Sequence, residues 1–97
     1  MVETIGDYED LAGVFRALAH PIRLQILMNT IGDELCVQDL QDDLGRSQPN
    51  ISQHLTVLRE RGLVTAERKG KRVCYRPADG RIAEVIRLAA QALEGLE

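Results

Sequence analysis

Aromatic residues are nearly absent from this 97-residue chain, which holds two Tyr, one Phe and no Trp. Histidine is as scarce, with only His20 and His54. So few groups supply neither a nucleophile, base and orienter nor a metal cluster, and no Gly-rich phosphate loop is present, so no enzyme is expected. Adjacent acids such as Asp42 and Asp43 project about 100° apart on a helix and read as a solvated face. The two cysteines, Cys36 and Cys74, are too few for a secreted disulfide framework. No apolar run approaches the roughly 18 residues of a membrane span, and no basic-then-apolar leader opens the chain. A cytoplasmic protein with no membrane partner is therefore expected. No internal repeat, low-complexity tract or linker divides the sequence, so residues 1–97 read as a single domain. A chain this short buries a modest core and gains from apolar surface supplied by a second subunit.

Charge is segregated rather than scarce. The net value is −3. Residues 1–45 carry Arg16 and Arg23 against nine acids, whereas residues 46–76 carry eight Arg or Lys against Glu60 and Glu67. A basic block on an acidic chain is expected where one face meets phosphates and the remainder faces away.

The basic block begins inside the most informative stretch, Val37 to Arg61, VQDLQDDLGRSQPNISQHLTVLRER. Leu40 and Leu44 lie one turn apart on a first helix, Gly45 supplies the left-handed residue that ends it, and Ser47 caps a second. Pro49 falls in the first turn, where its missing N–H costs nothing. Ile51, Leu55 and Leu58 recur at i, i+4 and i+7 and form a buried stripe, so Ser52, Gln53 and Thr56 face outward. Two short helices and a tight turn, with small polar side chains suited to base edges, predict a helix-turn-helix directed at DNA.

The flanks complete the pattern. A helix is expected from Asp7, with Glu9 and Asp10 in its first turn and Leu11, Val14, Phe15 and Leu18 as its stripe, ending before His20-Pro21. A second, central helix runs from Pro21 to about Thr30, and Glu34-Leu35-Cys36 is a short extended link. After Gly62, residues Leu63 to Pro77 alternate as strands about Gly70, making a basic hairpin with Arg68, Lys69, Lys71 and Arg72. A last helix from about Asp79 carries Ile82, Val85, Ile86, Ala89, Leu93 and Leu96 at helical spacing, a stripe that needs a partner surface. His20 is expected to cap or pack at a helix start, and His54 to touch a phosphate or pack under the hairpin. The expected fold is mainly α with a small β-hairpin wing, a winged helix-turn-helix that dimerises through its terminal helices.

In order and spacing, LAHPIRLQIL, ELCVQDL, SQPNISQHLTVLRERGLV and RKGKRVCYR resemble the ArsR/SmtB family of winged-helix repressors over nearly the whole chain. The resemblance implies a cytosolic homodimer that sits on a palindromic double-stranded DNA operator and leaves it when an inducer binds. By position, Gln48, Ser52 and Gln53 match the family's base-contacting places, and the wing tip matches its backbone contacts. The expected interface is Ser47, Gln48, Ser52, Gln53 and Thr56 in the major groove, with Arg68, Lys69, Lys71 and Arg72 on the backbone or minor groove. A winged helix used to dock proteins, or a constitutive regulator with no inducer site, is the alternative.

The inducer site departs from the family pattern. Arsenic and cadmium sensors of this family typically read ELCVC, because soft ions need two or three thiolates, but here Gln38 stands at the second thiol position. The last helix has no histidine, and Asp79 and Glu94 alone make a poor zinc site. No confident metal site remains. In winged helices the stretch before the helix-turn-helix often pairs with the second wing strand, which brings Cys36 near Cys74. If Leu35, Val73 and Tyr75 point inward, both thiols point outward on one face. The pair then senses by oxidation or persulfidation, or takes a soft metal or metalloid, or serves only as two small half-buried hydrophobes.

Overall fold

The computed structural model describes residues 6–96, and side chains of residues 6–95. Helix α1 spans Tyr8–Leu18, capped by Asp7, whose carboxylate accepts from the Glu9 N–H at 2.8 Å. Helix α2 spans Pro21–Thr30 and opens on His20, whose Nδ1 accepts from the Ile22 N–H at 3.0 Å. The expected capping role of His20 is thus observed. Arg23 of α2 donates to the Ala17 carbonyl at 2.6 Å and so caps the end of α1. Ile26 and Leu27 are fully buried, which makes α2 the centre of the core.

Strand β1, Leu35–Cys36, leads into α3, Val37–Leu44. Gly45 ends α3 at φ 63°, the left-handed region that glycine enters without steric cost. Ser47 caps α4, Gln48–Glu60, by accepting from the Asn50 N–H at 3.4 Å. Leu40, Ile51, Leu55 and Leu58 join Ile26 and Leu27 in one cluster, so the helix-turn-helix is held by its apolar stripes.

Strands β2, Val64–Lys69, and β3, Arg72–Pro77, form the wing. The sheet is antiparallel with order β1-β3-β2, and its register sets Leu35 opposite Tyr75 and Cys36 opposite Cys74. Val64 lies in the core cluster, and Leu35 and Tyr75 pack against it. The cysteines therefore occupy the opposite face, as the alternation predicts. They are nonetheless buried, at 7% and 4% exposure.

Helix α5 spans Arg81–Leu96, two residues later than expected. Asp79 stays outside it, accepting from the Arg81 N–H at 2.9 Å and from its guanidinium, which holds the Asp79 carboxyl down at about 2. Ala83 is the buried anchor of α5, while Val85, Leu88 and Leu93 stay exposed. Phe15 of α1, Leu24 of α2, and Val85, Ile86, Ala89 and Leu93 of α5 wall an open apolar groove. With Phe15 at 53% and Leu93 at 62% exposure, the terminal helices leave the uncovered stripe foreseen from their spacing. Leu96, part of that stripe in sequence, has its side chain outside the described residues.

Candidate nucleic-acid interface

Helix α4 presents Gln48, Gln53 and Thr56 to solvent, and Ser52 is half-buried. These side chains are not equally available. Gln48 Nε2 donates to Ser52 Oγ at 2.6 Å, and Thr56 Oγ1 donates to the Ser52 carbonyl at 2.9 Å. Ser47 Oγ is occupied as the cap. Among the described residues Gln53 alone of these five makes no side-chain hydrogen bond, which leaves a whole carboxamide for a base edge. A free amide can bond an adenine in bidentate fashion, whereas Thr56 offers a methyl group and an acceptor oxygen.

His54 lies beneath this surface, not on it. It is 8% exposed, and its ring centroid lies 4.3 Å from that of His20. Burial, and then the nearby His20, Arg23 and Arg46, push its pKa below the ordinary 6.5. Its Nδ1 has no hydrogen-bond partner. His54 is therefore a packed residue and not a phosphate contact, and its ring lies against His20 at the start of α2.

The four wing cations divide into two pairs. Lys69 Nζ lies 2.6 Å from Glu34, and Arg72 Nη2 lies 3.4 Å from Asp39. The hydrogen bond and charge of Glu34 raise the Lys69 pKa. Among the described residues Arg68 and Lys71 have no such partner. Glu34 and Asp39 were not legible as site residues, because nothing local in the sequence ties them to a hairpin some 30 residues on, an interval of 33 for Asp39 and Arg72.

Cys36 and Cys74 are joined by a disulfide that closes 38 residues, including all of α3 and α4. Asp39 also accepts from the Cys36 N–H at 2.9 Å, closing a capping box at the start of α3. Among the described residues no three His, Cys, Asp or Glu gather to hold a metal ion. The donor set does not fit a family metal centre, since Gln38 replaces the second thiol and α5 offers no imidazole.

Two helices joined through a left-handed glycine, a polar outer face on the second and a basic hairpin beside it define a winged helix-turn-helix. The model of the arsR family of bacterial regulatory proteins matches residues 20–66. The repressor SmtB of Mycobacterium tuberculosis is 44% identical over 78 residues, 79% of this chain and 58% of its own length. The chain thus spans less than two thirds of that relative. A biofilm growth-associated repressor of Xylella fastidiosa is 34% identical over 77 residues, 79% of this chain and 68% of its own. A homodimeric winged helix-turn-helix DNA-binding domain of Mycobacterium bovis, a possible ArsR-family regulator, superposes with a TM-score of 0.81 at 32% identity, covering 90% of this chain and 81% of that one. The chain belongs to the ArsR family, a family of DNA-binding transcriptional regulators rather than enzymes.

Proposed function

We propose that this protein is a cytoplasmic, homodimeric transcriptional repressor that binds a palindromic operator. The observation that carries the reading is the coincidence of the outward polar face of α4 with the basic block of residues 46–76. Gln48, Ser52, Gln53 and Thr56 enter the major groove, Ser47 sits at its edge, and the tip of the basic wing lies along the backbone. The groove between α1, α2 and α5 takes the same face of a second copy, and such a dimer sets two recognition helices about one helical turn apart. The names of the mycobacterial and Xylella repressors support the reading. The test is selection of a site from random duplexes, followed by a salt titration. A two-fold symmetric site with steep loss of affinity in salt is expected. Absence of DNA affinity would favour the protein-docking alternative and overturn the proposal.

The input is proposed to be the Cys36–Cys74 pair. Two thiols lose their protons and two electrons to a hydroperoxide, which is reduced to alcohol and water as the S–S bond forms. The bridge pins β3 to the residue that precedes α3, which prevents the wing from adjusting to the groove. A soft metal or metalloid at the reduced pair is the second reading, and among the described residues no third ligand stands beside the two thiols, so it needs further ligands from elsewhere, such as a second copy. DNA-binding anisotropy of the bridged, reduced and Cys74→Ser proteins separates the cases. Weaker binding by the bridged form alone is expected, and equal affinity in all three would sink the assignment.

A further inference from the structure

We infer that Glu34 and Asp39 are built-in counter-ions of the wing, and that they withdraw Lys69 and Arg72 from phosphate contact and leave that task to Arg68 and Lys71. This rests on the DNA-binding reading and refines it.

Lys69 and Arg72 are directly opposed across β2 and β3. Like charges at opposed positions repel, with their Cβ atoms about 5 Å apart. Glu34 and Asp39 answer this repulsion one to one, at 2.6 Å and 3.4 Å. The Glu34 side chain is only 20% exposed and so is held in place, whereas the Lys69 side chain it meets is 56% exposed. Asp39 is committed twice, since the carboxylate that meets Arg72 also accepts the Cys36 N–H at 2.9 Å. Moving Arg72 to a phosphate would break its pair with a carboxylate that the start of α3 holds in place.

The pleat gives an independent argument. Lys69 and Arg72 share a face with Cys74, away from the core, whereas Arg68 opposes Val73 and alternates onto the face of Val64, the side on which β2 packs against α4. Arg68 therefore projects on the recognition-helix side, and Lys71 stands in the loop between the strands. The two cations without partners are those placed to follow DNA, and the two with partners orient the hairpin.

The experiment is anisotropy of a fluorescein-labelled random duplex titrated with the dimer of the 97-residue chain over a series of potassium chloride concentrations. Lys71→Ala and Arg68→Ala are each expected to flatten the slope of log K against log salt by about 2, one phosphate per protomer at about 0.9 each. Lys69→Ala and Arg72→Ala are expected to leave the slope unchanged. Glu34→Gln is expected to steepen it, because the freed ammonium then takes a phosphate, an effect that loss of structure cannot produce. A flattening by Lys69→Ala or Arg72→Ala equal to that of Lys71→Ala would overturn the inference while leaving DNA binding intact. A wild-type protein with no salt-dependent affinity would overturn the DNA-binding reading itself.

Discussion

Gln53 and His54 are neighbours on α4 with opposite duties. Gln53 is exposed with a free amide, so Gln53→Ala should cost about 1–3 kcal/mol at one base pair per half-site and leave random-sequence affinity nearly intact. Competition with single-base operator variants measures this, and equal loss on both DNAs would remove Gln53 from base readout. His54 is buried with its pKa lowered by desolvation and by His20, Arg23 and Arg46. The unfolded chain then binds the proton more readily than the folded one, so unfolding free energy falls as pH drops below 6.5 and levels off below the depressed folded value. His54→Asn should flatten that dependence in urea titrations between neutral and mildly acidic pH. The exposure of Gln53 follows from helical periodicity, but the tilted packing of His54 against His20 does not, because periodicity says which side a residue faces and not which distant residue meets it.

At the scale of elements, the wing and the start of α3 behave as one piece, tied by strand pairing, a disulfide and the Arg72–Asp39 pair. A cross-link that closes 38 residues restricts the unfolded chain, so reduction or Cys74→Ser should lower unfolding free energy by roughly 2–4 kcal/mol. Chemical denaturation with and without a phosphine reductant reads this directly. A smaller, separable loss of about 1 kcal/mol is expected for Ser47→Ala, which removes the cap of α4. The boundaries of α1 to α4 were legible because Asp7, His20-Pro21, Gly45 and Ser47 are local stop and start signals. The start of α5 was displaced because Asp79 bonds forward to Arg81 in a turn of its own before the helix begins.

For the whole molecule, the decisive feature is the uncovered groove between α1, α2 and α5. If a second copy fills it, the thermal midpoint rises with protein concentration, because association stabilises the folded form by mass action. Phe15→Asp and Leu93→Asp should each abolish that rise, yield a monomer in sedimentation and weaken operator binding steeply. A monomeric wild-type protein would show that these helices serve another partner. No helix among the described residues is long and apolar enough to cross a membrane.

The sequence by itself determined the parts: where α1 to α4 begin and end, which stripe of each helix is apolar, which face of α4 is polar, and where positive charge collects. Those properties depend on residues within a turn or two of one another, where caps, glycines and periodicity act. Alternation along β1 and β3 also determined that Cys36 and Cys74 share a face. Only the tertiary structure decided the meetings across the chain: Cys36 on Cys74, His20 on His54, Lys69 on Glu34 and Arg72 on Asp39. Each requires the sheet register or the packing of α4 on α2 to bring distant residues within a few ångströms. Local pattern carries no record of that distance.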